Sequence, residues 1–249
     1  RVAAQETLLQ LDKVGLTKDG IERIANISLS VRAGEIVGIA GVSGNGQREL
    51  AEIVAGLQAP TSGEILINGA RVNGIGTRKV REAGLAYVPE DRLGTGLAPS
   101  LSIVDNLVLT RDRGFLVDRK SALVEAEAFI KQLEIKTPHA HTATRKLSGG
   151  NSQKVLLARE IFAAGDNSRV LVVCSPTRGL DVGAVEAVHK LLDEARSSGK
   201  AVLLISEDLD EVLTLADKVL VLYRGSVVHE VAGHEVDVEA VGLAMAGLS

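Results

Sequence analysis

The sequence is poor in aromatic side chains and carries no excess of positive charge. It contains no tryptophan, two tyrosines and three phenylalanines among 249 residues, and its formal net charge is -4 at pH 7. Proteins that bind nucleic acids use basic patches, and those that bind single strands also use aromatic stacking platforms. We therefore expect no nucleic-acid partner.

Cysteine and long apolar runs are also scarce. The single cysteine, Cys174, excludes an internal disulfide and fits a reducing compartment. No apolar run approaches the roughly 18 residues that span a bilayer, and the first ten residues lack a signal-peptide pattern. These features predict a cytosolic chain. Because the chain opens on Arg1 and its only methionine is Met245, we also expect it to be a segment cut from a longer protein.

Apolar residues and glycine, in contrast, are abundant, and they predict the core of the fold. Five short apolar runs bounded by glycine or proline indicate buried strands. These runs are Ile36–Ala40, Leu85–Val88, Val170–Val173, Ala201–Ile205 and Val219–Tyr223. Helical patterns follow three of them, at Arg48–Leu57, Val185–Ala195 and Asp210–Leu215. Strands that alternate with helices predict an α/β fold with a mostly parallel sheet.

Two other regions have a different character. Near the N-terminus, Leu8–Leu11 and Ile27–Val31 with Gly20 between them predict antiparallel strands joined by a turn. Between Asp91 and Gly165 the strand-like runs disappear and helical patterns such as Ser121–Leu133 dominate. This region is either an inserted α-helical subdomain, which we favour, or a set of ordinary crossover helices of one sheet.

These patterns predict the domain organisation of the chain. We expect residues 1–90 and 166–225 to form the α/β core and residues 91–165 to form the helical subdomain. The last segment, 226–249, gives little signal and is assigned to a C-terminal appendage.

A glycine-rich loop follows the first predicted core strand and precedes a helical pattern. Strand, glycine loop and helix in this order predict a phosphate-binding loop, because the backbone N–H groups can converge on an anion at the helix N-terminus. The residues expected to bind a nucleotide there are Gly41, Ser43, Gly44, Asn45, Gly46, Gln47 and Arg48.

Two positions of this loop depart from the motif. The motif calls for lysine and then serine or threonine, where this chain has Gln47 and Arg48. A charge-assisted hydrogen bond contributes about 1.5–3 kcal/mol, so the missing lysine should weaken phosphate binding by roughly one to two decades. Arg48 lies one position too late and is too large for us to expect it in the lysine's place.

Two later segments carry a specific resemblance. Leu147–Lys154, with the sequence LSGGNSQK, heads a helical pattern that runs to Ala164, and Val170–Val173 leads into the segment CSPTRGLD at Cys174–Asp181. These segments resemble the signature motif, the Walker B strand and the D-loop of ATP-binding-cassette (ABC) proteins. Their order and spacing match that family over nearly the whole chain.

The wording GVSGNGQREL, AYVPEDRLGTGL, LSGGN, PTRGLD and ISEDLDEV looks most like the second cassette of tandem importers for simple sugars or nucleosides. The resemblance implies a P-loop NTPase fold of the RecA-like type, with ATP and Mg²⁺ as cofactors. It also implies two partners, a second cassette in the same polypeptide and transmembrane permease subunits. Such a domain would lie on the cytoplasmic face of the cell membrane.

The resemblance also identifies departures at the nucleotide site. Cys174 and Ser175 stand where the family has the aspartate that orders Mg²⁺ and the glutamate that polarises water. Glu207 replaces the switch histidine, and Glu90 replaces the glutamine of the glutamine loop. No aromatic residue precedes Tyr87, so the residue that stacks on adenine in the family is also missing.

The signature motif itself is intact. In the family it acts in trans, closing over the nucleotide that the opposite cassette holds. The resemblance assigns this role to Ser148, Gly149, Gly150 and Asn151, and it assigns a contact across the dimer to Asp181 of the D-loop.

We therefore predict a cassette that has no intact catalytic residue and no metal site of its own. It would hydrolyse little or no ATP and would complete the ATP site of a partner cassette. Two alternatives stay open at this stage. One is an active ATPase cassette with unorthodox residues, and the other is a scaffold or regulator with the same fold but no role in transport.

Overall fold

The computed structural model describes residues 6–110, 118–163 and 168–248, which divide into two compact units. The described residues of the first unit lie within 6–87, 168–175 and 192–248, and those of the second unit lie within 88–110, 118–163 and 176–191.

Ten strands and eight α-helices form in the part of the chain that is described. The strands are β1 (Thr7–Lys18), β2 (Ile21–Arg32), β3 (Ile36–Ala40), β4 (Ser62–Ile67), β5 (Ala70–Arg71), β6 (Leu85–Val88), β7 (Val170–Cys174), β8 (Ala201–Ser206), β9 (Lys218–Tyr223) and β10 (Ser226–Ala232). The helices are α1 (Gln47–Val54), α2 (Thr77–Glu82), α3 (Ile103–Val108), α4 (Arg119–Gln132), α5 (Gly149–Leu157), α6 (Val182–Ser197), α7 (Leu209–Leu215) and α8 (Val238–Met245).

An antiparallel sheet with the strand order β2-β1-β4-β5 forms one layer of the first unit. Lys18 pairs with Ile21, so β1 and β2 are joined by the two residues Asp19 and Gly20. Both have positive φ angles, of 52° and 73°, as the tight turn between right-twisted strands requires. The predicted N-terminal antiparallel pair is confirmed.

A six-stranded sheet with the order β10-β9-β3-β8-β7-β6 forms the second layer. Strand β8 is parallel to β3 and to β7, and β9 is parallel to β3, whereas β10 returns antiparallel along β9. Every residue of β3, β7 and β8 is buried, which explains why these strands are continuous apolar runs. The α/β class with a mostly parallel sheet is confirmed.

The two faces of this sheet pack against different elements. Val37 and Ile39 of β3 belong to a core that includes the buried side chains of α1 and of the antiparallel sheet. Ala40 belongs to a separate core with Val212 of α7 and Val241 of α8. This alternation follows from the period of two residues in a strand.

The second unit is helical and is organised around a buried asparagine. Asn106 of α3 accepts a hydrogen bond at Oδ1 from the Ala98 N–H (2.8 Å) and donates through Nδ2 to the carbonyls of Ala98 and Ser102, each at 3.0 Å. The side chain is fully buried and ties the loop before α3 to the helix. A π-helical turn at Arg92–Gly96 and a π-helical segment at Ala158–Ala163 complete this unit.

The structure adds elements that the sequence patterns did not reveal. Strands β4 and β5 and helix α2 lie in the stretch between α1 and β6, and β10 and α8 lie in the C-terminal stretch 226–248. These elements are short or only half-buried, so their apolar period is weak. The predicted helix end at Ala164 and the domain boundary at 165 and 166 lie outside the described residues.

The helices within the described part of the chain are too short or too polar to cross a membrane.

Candidate functional site

The predicted site residues of the first unit gather at one edge of the parallel sheet. In the ladder, Ala40 of β3 pairs with Ser206 of β8, and Cys174 of β7 pairs with Ile205. The glycine loop, Ser175 and Glu207 therefore all follow the carboxyl ends of adjacent parallel strands. This edge is where open α/β sheets bind ligands.

The glycine loop approaches other backbone closely at its start. A Cβ atom added at Gly41 would lie 2.6 Å from the Leu222 carbonyl oxygen and 2.7 Å from the Gln47 side-chain nitrogen. Only glycine fits at such distances. Ser43 and Gly44 at the tip of the loop are exposed, so a ligand could reach this part of the loop.

Asn45 fixes the loop to the hairpin formed by β9 and β10. Its Oδ1 accepts a hydrogen bond from the Arg224 N–H at 3.1 Å, and its backbone carbonyl accepts from the Gly225 N–H at 2.8 Å. The side chain is buried, with 8% exposure, and Nδ2 has no partner among the described residues. Asn45 therefore shapes the loop from behind.

Gln47 and Arg48, the two unorthodox residues of the loop, both turn to neighbours within their own segment. The Gln47 side chain is buried and donates from Nε2 to the Val42 carbonyl at 2.9 Å, which closes the loop across its base. Arg48 is largely exposed and its Nε lies 2.7 Å from Oε1 of Glu52, one turn along α1. Although burial alone would raise it, hydrogen bonds from Arg48 and Gln58 hold the pKa of Glu52 below its ordinary value.

Cys174 ends β7 as a buried thiol that is hydrogen-bonded to the Tyr87 hydroxyl. Burial raises the pKa of this thiol to about 12, so it is neutral at pH 7. Burial likewise raises the pKa of Tyr87. The end of β7 is thus lined by two neutral groups, and it presents a sulfur atom where a hard cation would need oxygen.

Ser175 and Glu207 occupy the next positions along this edge. Ser175 has a φ of +41°, an uncommon backbone conformation for a residue other than glycine, and its N–H donates to the Ile205 carbonyl at 2.8 Å. Glu207 is exposed, between the buried Ser206 and the residue that caps α7, Asp208. Over the described residues, no group of three or more His, Cys, Asp or Glu side chains is placed to hold a metal ion.

In the second unit, Glu90 is followed by a capped turn and is paired with an arginine. Glu90 forms an ion pair with Arg178, and both side chains are largely exposed. Asp91 caps the π-helical turn by accepting a hydrogen bond from the Gly94 N–H at 2.8 Å. Glu90 is therefore held within a network of the second unit.

Ser148 caps helix α5, and Asn151 holds it in place. The Ser148 oxygen accepts from the Asn151 backbone N–H at 3.4 Å and from its side-chain Nδ2 at 2.8 Å. Asn151 also accepts from the Lys136 N–H at 2.8 Å. Because the serine oxygen acts as acceptor in both contacts, its own O–H proton is still able to donate to a ligand.

The two glycines of the signature and Asp181 have structural roles as well. Gly149 and Gly150 are the first residues of α5, whose N–H groups have no partner within the helix. A Cβ atom at Gly150 would lie 2.7 Å from that of Ala184 in α6. Asp181 accepts from the Ala184 N–H at 3.0 Å and so caps α6. Gly150 is thus also needed for close packing of α5 on α6.

Three residues in these networks were not among the predicted site residues, namely Tyr87, Arg92 and Arg178. Tyr87 and Cys174 are far apart in sequence, and Arg92 and Arg178 act partly through backbone carbonyls. The available signal was the motif wording, because Tyr87 and Arg92 lie in AYVPEDRLGTGL and Arg178 lies in PTRGLD.

The chain was compared with known protein families and curated proteins. Residues 24–177 match the family model described as ABC transporter. The chain is 42% identical over 256 residues to the glucose import ATP-binding protein TsgD13 of Haloferax volcanii, covering 99% of this chain and 46% of that protein. It is 43% identical over 237 residues to the guanosine import ATP-binding protein NupO of Bacillus subtilis, covering 92% and 45%.

A third relative is the ribose import ATP-binding protein RbsA 1 of Rubrobacter xylanophilus, which is 40% identical over 253 residues, covering 99% of this chain and 49% of that protein. The chain therefore spans about half the length of the curated relatives it matches.

Solved structures match the fold. One is the dimeric structure of a post-hydrolysis state of an ATP-binding cassette bound to ADP and Pi, with a TM-score of 0.76, 24% identity and coverage of 90% of this chain and 98% of that one. Another is the structure of an ATP-binding subunit of an ABC transporter, with a TM-score of 0.79, 20% identity and coverage of 96% and 100%.

Proposed function

The chain belongs to the ABC transporter family, and on that premise we propose that it is a nucleotide-binding cassette of a sugar or nucleoside importer. We further propose that it hydrolyses little or no ATP at its own site and completes the ATP site of a partner cassette. The solute class rests on relatives described as import proteins for glucose, guanosine and ribose.

The observation that carries this proposal is the neutral end of β7. The residues of this chain's own site do not fit a magnesium-bound triphosphate. Cys174 is a buried neutral thiol bonded to Tyr87, and Mg²⁺ selects oxygen ligands. A positioned catalytic base contributes about 10²–10⁴ in rate, and Ser175 supplies no carboxylate for that role.

The glycine loop supports weak anion binding without the metal. Its tip at Ser43 and Gly44 is exposed and helix α1 begins shortly after it at Gln47, so an anion could still approach the helix N-terminus. Gln47 contributes no positive charge, and its side-chain nitrogen is engaged with the Val42 carbonyl. Arg48 is paired with Glu52. We propose that this loop binds a nucleotide weakly.

The signature of the second unit supports the role in trans. The Ser148 hydroxyl and the N–H groups of Gly149 and Gly150 would contact phosphate oxygens of a nucleotide that the partner holds. These groups stand at the N-terminus of a nine-residue helix, where partial positive charge favours an anion. The proposed contribution of Asp181 is a contact across the same interface.

The proposed partners are a second cassette and permease subunits. A chain of about half the length of its relatives is consistent with a second cassette in the same polypeptide, and one structurally similar cassette was solved as a dimer. Permease subunits would supply the membrane-spanning part, with this domain on the cytoplasmic face. Mg²⁺ would be held at the partner's site.

Replacing Ser148 with arginine in the full-length protein tests the trans role. A bulky cation at the head of α5 would occupy the space of the partner's nucleotide, so we expect ATPase activity of the assembled transporter to fall by at least about tenfold. The measurement is steady-state phosphate release with permease present. Arg119→Ala, at an exposed arginine on α4, is the matched control and should leave the rate unchanged.

Unchanged activity of the Ser148→Arg protein would reject the role in trans. Turnover that is lost only after substitution of Gln47 or Ser175 would instead support an active ATPase with unorthodox residues. Intact transport after deletion of this domain, with no permease recovered alongside it, would support a scaffold or regulator.

A further inference from the structure

One guanidinium group in the second unit links the signature helix to the loop before α6. Arg92 donates from Nη2 to the Arg178 carbonyl at 2.6 Å, and its Nη1 lies 3.4 Å from the Gly149 carbonyl. The first contact is short and strong, and the second is at the limit of a hydrogen bond. Arg92 therefore connects the first residue of α5 with the segment that leads to Asp181.

Two glycines lie beside the guanidinium group. A Cβ atom added at Gly149 would lie 3.4 Å from Nη1 of Arg92, and one added at Gly179 would lie 3.8 Å from Nη2. Gly179 also has a φ of +68°, which turns the chain after Arg178. Arginine suits this place because its planar fork offers donors in two fixed directions, whereas lysine has one terminal nitrogen.

The turn that carries Arg92 is itself anchored. It ends at Gly96, whose carbonyl accepts a hydrogen bond from Nη2 of Arg159 at 2.6 Å. Arg159 is buried and its Nε lies 2.7 Å from Oε1 of the fully buried Glu160. Arg159 lies just beyond the end of α5 and contacts the last residue of the π-helical turn, Gly96. Arg92, the first residue of that turn, contacts the start of α5. The base of Arg92 is therefore held in place independently of its tip.

From these contacts we infer that Arg92 is a positioning residue, which sets the head of α5 and the loop that bears Asp181 in the arrangement that a partner's nucleotide requires. This inference rests on the proposed role in trans. Arg92 acts through Ser148 and Asp181 and touches no nucleotide itself. Glu90 forms an ion pair with Arg178, and the Arg178 carbonyl accepts a hydrogen bond from Arg92. Glu90 is therefore connected to the signature through Arg178 and Arg92.

The test compares four variants of the full-length protein assembled with its permease: Arg92→Ala, Arg92→Lys, Ser148→Arg and Arg119→Ala. Steady-state ATPase measurements give kcat and KM for ATP, and thermal unfolding reports the stability of each protein. We expect Arg92→Ala to lower kcat by about ten- to a hundredfold, since small misplacements of site groups have effects of this size. KM should stay within about twofold, because the partner holds the nucleotide before the signature closes on it.

Arg92→Lys keeps the charge and one donor, so its kcat should lie between those of wild type and Arg92→Ala. Full kcat for Arg92→Ala beside an inactive Ser148→Arg protein would overturn the inference and leave the proposed function standing. A parallel rise in KM, or a large fall in unfolding temperature in both Arg92 variants, would also overturn it, because the arginine would then act only in folding. Full activity of the Ser148→Arg protein would reject the proposed function and this inference together.

Discussion

At the scale of single residues, position 174 determines which chemistry the end of β7 supports. A buried carboxylate without a cation is strongly disfavoured, whereas a thiol and a phenol can share a hydrogen bond at little cost. The pair formed by Cys174 and Tyr87 satisfies both groups without any ligand. These two side chains therefore need no further partner in the folded state.

The reactivity of Cys174 tests this description. The thiolate is the reactive form of cysteine, and a pKa of about 12 leaves very little of it at pH 8. We expect the native protein to react with iodoacetamide at least about a hundredfold more slowly than an ordinary thiol, whose pKa is about 8.5. Mass spectrometry of timed samples measures the rate, and the protein unfolded in urea is the control. Equal rates in the two states would show that the thiol is accessible.

Restoring an acid at this position should destabilise the isolated chain. We expect Cys174→Asp to lower the free energy of unfolding by about 2–4 kcal/mol at pH 8. Burial raises the pKa of the introduced carboxyl in the folded state, so the unfolded chain ionises first as pH rises and the loss grows from about pH 4 upward. Urea unfolding at several pH values measures it.

The matched control is Cys174→Ser, which keeps the site neutral and should show no such pH dependence. A Cys174→Asp protein as stable at pH 8 as at pH 4 would contradict the description of a buried, neutral site.

At the scale of secondary-structure elements, the sequence predicted what local pattern determines. The strands β3 and β6 were placed at their observed bounds because strands that are buried over most or all of their length are continuous apolar runs. The π-helical turn after Glu90 was not predicted, since it depends on contacts of Arg92 and Arg159 with distant carbonyls. The hydrogen bond between Tyr87 and Cys174 likewise requires residues that are close only after the sheet has formed.

The packing of α7 on β3 gives a prediction for an element. A Cβ atom at Gly38 would lie 2.6 Å from Cγ1 of Val212 and 2.9 Å from Cβ of Ala216. Val212 is buried and Ala216 is partly buried in the same core. Gly38→Ala should therefore lower the free energy of unfolding by about 1–3 kcal/mol through overpacking. Chemical denaturation measures the change.

Gly242→Ala on α8 provides the comparison, because no heavy atom lies within 4 Å of the added carbon. This substitution should raise the stability by about 0.5–1 kcal/mol through helix propensity. Equal stability of the two variants would contradict the close packing of α7 on β3 at Gly38.

At the scale of the whole molecule, the two units carry different parts of the nucleotide-binding machinery. The first unit offers a phosphate loop beside a neutral strand end, and the second offers a complete signature at the head of α5. The proposed function accordingly requires a second cassette that holds the nucleotide. The sequence indicated this asymmetry through Gln47, Cys174 and Ser175, whereas the residues that hold the signature in place required the structure.

The magnesium dependence of nucleotide binding is the most direct test of the proposal that this chain's own site binds nucleotide weakly and without the metal. ATP is titrated calorimetrically into this chain, once with excess Mg²⁺ and once with a chelator that removes it. We predict a dissociation constant weaker than about 0.1 mM that is the same in both conditions, because Cys174 and Ser175 at the end of β7 offer no carboxylate to the ion. A dissociation constant of a few µM (about -7 to -8 kcal/mol) that weakens by tenfold or more without Mg²⁺ would contradict it.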